Sequence, residues 1–160
     1  GWFVLNAQDA RWRHREGRGN SLGFQGDTHF LQIGIGIVAL GPGEPNSMYH
    51  WETDQEDFLV LAGEGVLIVE GQERRLRAWD FVHCPAWTEH VFVGAGDGPC
   101  VVVGMGARRK RHGLVYPVNE TALRYAAGVA TETSEPSEAY ARFGEGTPIA
   151  CPEDFPGVKS

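Results

Sequence analysis

The chain has 160 residues, 42% hydrophobic and 22% charged, with 22 Gly and 9 Pro. That length suits one domain with its own core, and so much turn chemistry favours many short strands over long helices. A formal net charge of −7 opposes binding to nucleic acid or anionic membranes, and no apolar run is long enough to span a bilayer.

In chain order, Trp2–Leu5 predicts an edge strand or arm, and the residues after it a loop that includes the basic run "RWRHREGR" (11–18), read as a solvated turn. Residues 28–40, "THFLQIGIGIVAL", predict a strand in which Gly34 and Gly36 suggest a bulge or bend. Short apolar runs then recur at intervals of about ten residues, as expected of an antiparallel sandwich or barrel. "VLIVEGQERRLRAW" reads as a hairpin about Glu70–Glu73, and "ARRKRH" (107–112) as a solvated turn between strands. After "GLVYP" the spacing becomes helical, with Asn119 as an N-cap and Gly128 as a stop. A second short helix follows, with Ser134 or Ser137 as cap and Pro136 early, and the Pro-interrupted tail is expected to be irregular.

The three cysteines, Cys84, Cys100 and Cys151, fit neither a disulfide framework nor a CxxC metal site. No charged-then-apolar segment opens the chain, and a cytoplasmic protein is expected.

The chemistry concentrates at "YHWETDQEDFLVLAGEG", where one His and four carboxylates precede an apolar strand. His50, Glu52, Asp54 and Glu56 share a parity, so an extended segment would turn them to one face. Carboxylates crowded into an interior cost several kcal/mol unless neutralised, and a divalent cation does that with imidazole and carboxylate ligands. A bent segment could send Asp54 elsewhere. His90, in "CPAWTEHVF", could supply a further ligand from a neighbouring strand. Asp54, Gln55 and Asp57 read as solvated loop, and His83 and Cys84 as packing residues. Trp51, Phe58, Trp79, Phe81 and Trp87 read as core or pocket wall.

At these residues the sequence resembles the cupin superfamily. That family's first motif sets Gly before HxH, then three or four residues, Glu, six residues and Gly; here Gly43 precedes "HWETDQEDFLVLAG". Its second motif runs Gly-Asp to Pro-x-Gly-x-x-His, and "WDFVHCPAWTEH" supplies Asp80, Pro85 and His90. The resemblance spans roughly residues 33–104. Glu52 replaces the second His, and Trp79 and Trp87 replace two glycines.

The resemblance implies a mainly β, cupin-type jelly-roll β-barrel with short C-terminal helices. It would form one structural domain: an N-terminal arm or edge strand (1–27), the barrel (28–117) and a helical extension and tail (118–160). His50, Glu52, Glu56 and His90 would hold one divalent ion (Zn, Mn, Fe or Ni), Glu52 being either the fourth ligand or a residue facing substrate. The implied partner is a small molecule, in a homodimer without nucleic acid or membrane. Two functions stay open: a metalloenzyme of dioxygenase, isomerase or lyase type, and a non-catalytic small-molecule sensor.

Overall fold

The computed structural model describes residues 2–25, 30–108 and 113–156. Thr28, the expected start of the barrel, and Arg109–His112 of the second basic run lie outside the described residues. The strands are β1 (Trp12–Arg15), β2 (Gly19–Gly23), β3 (Ile33–Leu40), β4 (Trp51–Glu52), β5 (Glu56–Ala62), β6 (Glu64–Val69), β7 (Gln72–Arg77), β8 (Phe81–Cys84), β9 (His90–Ala95), β10 (Cys100–Ala107), β11 (Leu114–Val115) and β12 (Thr147–Ile149). Two short helices, α1 (Glu120–Arg124) and α2 (Pro136–Ala139), precede β12. None of the described helices is long and apolar enough to cross a membrane.

Antiparallel pairing builds a seven-stranded sheet, β12-β1-β2-β3-β10-β5-β8, a three-stranded sheet, β7-β6-β9, and the pair β11-β4. Alternation in the large sheet turns Leu40, Phe58, Val60, Cys100 and Val102 to one face, where they meet Leu67, Leu76 and Phe92 of the small sheet in one buried cluster. Each such large apolar side chain contributes about 1.5–3 kcal/mol when buried, so this layer holds the sheets together. The outer face of the large sheet (Trp12, Leu22, Ile37, Ala39, Val101) is covered by Phe155 of the tail. The outer face of the small sheet (Val66, Ile68, Val91, Val93) packs on Tyr49 and α1.

The expected closed barrel is replaced by a two-layer arrangement consistent with a jelly-roll sandwich. Between β3 and β9, isolated bridges at Pro45–Val93 and His50–His90 take the place of a continuous ladder. The segment that would carry the ladder contains Pro42 and Pro45, which have no N–H to donate.

Other elements also depart from the pattern read in the sequence. Trp2–Leu5 is not a strand, whereas β1 and β2 occupy the expected loop. Gly34 and Gly36 lie in an unbroken ladder with β10; the irregularity falls between β10 and β5, at Val101/Val102. Asn119 caps α1 through the Ala122 N–H, but the helix ends at Tyr125, before Gly128. Glu135, not a serine, occupies the N-cap of α2 and gives no side-chain hydrogen bond. The tail supplies β12, with Pro148 opposite Arg13 at the sheet edge, where proline is tolerated.

The hairpin turns at Glu70–Gly71, both with positive φ, as a two-residue primed turn requires. Gly63, at the motif's closing glycine, has φ +74°, and a Cβ there would sit 2.2 Å from the Pro99 carbonyl oxygen. Trp79 (φ 76°) and Trp87 (φ 75°) adopt the same left-handed region with bulky side chains. Their turn geometry points both indoles into solvent, 73% and 61% exposed, rather than into a core or pocket wall. Left-handed backbone costs an L-residue roughly 1–2 kcal/mol, more than the extra chain entropy a glycine loses. Trp79→Gly should therefore raise unfolding stability by up to about 1 kcal/mol in urea titrations, and a clear loss would overturn the strained assignment.

Candidate metal centre

His50 ends the proline-containing segment and faces His90, the first residue of β9. The two exchange backbone hydrogen bonds, His50 N–H to His90 O at 3.2 Å and His90 N–H to His50 O at 2.8 Å. Their rings consequently lie together, centroids 4.9 Å apart. Glu56 opens β5 on the inner face, opposite Gly106 of β10 and Cys84 of β8.

Each imidazole is oriented through its back nitrogen. His50 Nδ1 donates to the Met48 carbonyl at 2.7 Å, and His90 Nδ1 to the Thr88 carbonyl at 3.0 Å. A carbonyl only accepts, so Nδ1 carries the proton in both rings and Nε2 faces the site. Glu56 Oε2 lies 3.6 Å from His50 Nε2 and 3.2 Å from His90 Nε2. The second approach lacks hydrogen-bond alignment, leaving Glu56 Oε2 and His90 Nε2 buried without a hydrogen-bond partner.

Among the described residues, His50, Glu56 and His90 bring ligand atoms within 4.8 Å of one another in a group able to hold a metal ion. Glu52 is outside that group; its Oε1 lies 3.6 Å from His50 Nε2. Asp54 is buried rather than solvated, and also outside the group. Asp57 accepts from Gln55 at 2.6 Å and sits 2.6 Å from His83 Nδ1, on the face opposite Glu56. The floor is Phe58, whose ring lies 5.4 Å from His90 and 4.4 Å from Phe92. Tyr116, not singled out in the sequence, stands 5.8 Å from the His50 ring.

Residues 36–105 match the cupin domain family. The matched stretch, 70 of the 160 residues, carries the likeness to the cupin superfamily. Among solved structures, the chain is similar to a sugar phosphate isomerase of Silicibacter pomeroyi, with 24% identity, 70% of this chain and 80% of that chain covered, and a TM-score of 0.61. It is also similar to the polyketide cyclase RemF of Streptomyces resistomycificus (13% identity, 89% and 94% covered, TM-score 0.61). An RmlC-like cupin of Shewanella frigidimarina aligns at 14% identity, 69% and 95% covered, with a TM-score of 0.57. At these identities the likeness is one of fold. No curated protein matches the chain.

The departures from the cupin motif take on physical form in the structure. Trp87 keeps the left-handed backbone of the glycine it replaces, and its N–H donates to the Glu52 carbonyl at 2.7 Å. Its indole packs at a tilt against Trp51, ring centroids 4.8 Å apart. Trp51 has the parity opposite to His50 and Glu52, so this pair borders the centre from outside rather than lining it.

The charges of the cluster are strongly coupled. Burial works against a charged His50, but the Glu52 and Glu56 carboxylates outweigh it and raise the pKa to about 9. Burial likewise opposes a charged His90, but the adjacent Cys84 and Glu56 side chains outweigh it and raise its pKa to about 9. For Glu56, burial favours the neutral acid, yet the two imidazoles pull its pKa down to about 2. Without a cation, protons on the imidazoles balance the carboxylate.

The linkage has a definite sign. The imidazole contribution to stability is fully present below the unfolded value of 6.5 and is lost as pH rises through about 9. The Glu56 contribution is present above 4.5 and is lost as pH falls toward 2. With chelator present, the urea midpoint should be highest between about pH 4.5 and 6.5 and lower at pH 9. Glu56→Gln should flatten the alkaline decline; an unchanged slope in that variant would contradict the coupling.

Proposed function

We propose that this protein is a divalent-metal enzyme that rearranges an oxygen-bearing small molecule by proton transfer, in the isomerase or lyase class. The observation that carries the reading is the pair of Nδ1-tethered imidazoles aiming Nε2 at the orphaned, buried Glu56 Oε2. Donors fixed this way satisfy the chemistry of a borderline-hard cation such as Zn, Mn, Fe or Ni. His50, Glu56 and His90 would hold the ion, with Glu52 at its edge. When bound, such an ion polarises a carbonyl or hydroxyl oxygen and acidifies the neighbouring C–H or O–H.

The chain's own groups supply the rest. Glu52, close to His50 but outside the three-residue group, is placed to accept and return a proton. Phe58 and Phe92 close the floor against water. The fold is shared with a sugar phosphate isomerase and a polyketide cyclase, so it is one that hosts enzymes acting on oxygen-bearing small molecules.

Elemental analysis of protein purified without chelator should find about one divalent ion per chain, lost in His90→Ala and in Glu56→Ala. Glu52→Gln should keep the ion yet abolish solvent-deuterium incorporation into the turned-over member of an aldose and ketose phosphate panel. No ion in any preparation, and none on soaking, would sink the metalloenzyme reading. Metal without turnover would favour a small-molecule sensor.

A further inference from the structure

The basic run at residues 11–18, expected as a solvated turn, forms β1 and its turn into β2, and strand alternation sorts its cations. Trp12 takes the outer face with Leu22 and Phe155, and His14 the same side. Arg13 and Arg15 take the inner face. Arg13 stands opposite Ser21, Ser21 opposite Val38, and Val38 opposite Val102 of the inter-sheet core. Arg18 joins them from the turn, its guanidinium 4.4 Å over the Tyr140 ring and 5.6 Å over Phe143.

These side chains line a partly open pocket of about 160 Å³ with Ser21, Val38 and Asn46, Arg13 and Ser21 being exposed and Arg15 and Arg18 half-buried. Arg13 donates to the Gly146 carbonyl and Arg18 to the Asn46 carbonyl. Among the described residues no carboxylate pairs with any of the three guanidiniums within 4.0 Å. Arg18 Nε is buried without a hydrogen-bond partner. Burial, together with the nearby Arg15 charge, lowers the Arg18 pKa. Three converging cations repel one another, and the described residues place no paired carboxylate among them in a chain whose net charge is −7.

We propose that this pocket binds the phosphoryl group of a small anionic ligand. A tetrahedral dianion offers oxygens to three guanidinium forks and the Ser21 hydroxyl, and offsets more of their charge than a carboxylate. The pocket's lining residue Asn46 is linked to the metal centre through Ser47, whose hydroxyl lies 3.2 Å from Asn46 Oδ1 and 3.5 Å from His50 Nδ1.

The test is titration of the 160-residue chain with inorganic phosphate, against chloride at matched ionic strength, with and without chelator. Phosphate should raise the unfolding midpoint above the chloride control in both conditions, and shift amide resonances within Arg13–Ser21. Arg15→Ala, which removes a guanidinium with no hydrogen bond among the described residues, should weaken phosphate binding about tenfold. Arg18→Lys should weaken it while keeping the charge, and Arg74→Ala on exposed β7 should not. Equal stabilisation by chloride, unshifted β1–β2 amides, or wild-type binding in Arg15→Ala would overturn the proposal.

Discussion

The interaction on which the rest depends is that of one buried carboxylate oxygen with two imidazoles. Glu56 Oε2 has no hydrogen-bond partner and no access to water, in a layer otherwise filled by Phe58, Val60, Phe92 and Val102. An isolated carboxylate there would cost several kcal/mol. The fold meets that cost with positive charge on His50 and His90, whether protons or a metal ion supply it. The requirement fixes the strand parity of β5, the backbone pairing of His50 with His90, and the tether on each Nδ1.

Those tethers show how local the solution is. Each imidazole is held by the carbonyl two residues before it, so its orientation depends on the turn that carries it rather than on distant packing. The turn ahead of His90 is the one into which Trp87 is forced with positive φ, and the Trp87 N–H is bonded to Glu52 beside the centre. Backbone strain and site geometry therefore share one short loop. The prolines ahead of His50 act similarly on the other side. By preventing a continuous ladder to β9 they leave the bridge at His50–His90 as the local link, where the two rings converge.

Much of this was legible in the sequence. The spacing of His50, Glu56 and His90 within two motifs on a strand-rich chain pointed to one cluster, and the structure brings those three together. Glu52 could be placed on the same face by parity, but not in or out of the group, because that depends on how far β4 stands from β5. The closed barrel failed at Pro42 and Pro45, whose missing N–H groups were visible but whose position in the ring was not. β12 was missed because three residues around Pro148 have no strand pattern and pair only when β1 provides an edge. The inward arginines left a trace in the alternation Trp12-Arg13-His14-Arg15. Composition alone, with its charged residues, made that stretch look solvated.

The cluster is built from both layers: Glu56 comes from the seven-stranded sheet, His90 from the three-stranded one, and His50 is bridged to the latter. For the layers to part, an anionic carboxylate has to be withdrawn from its cations before water can reach it. That order of events places the penalty in the unfolding barrier, as charge separation in a medium still dry. The centre thus acts as a latch on the time axis, slowing spontaneous opening of the sandwich by more than its effect on equilibrium stability implies.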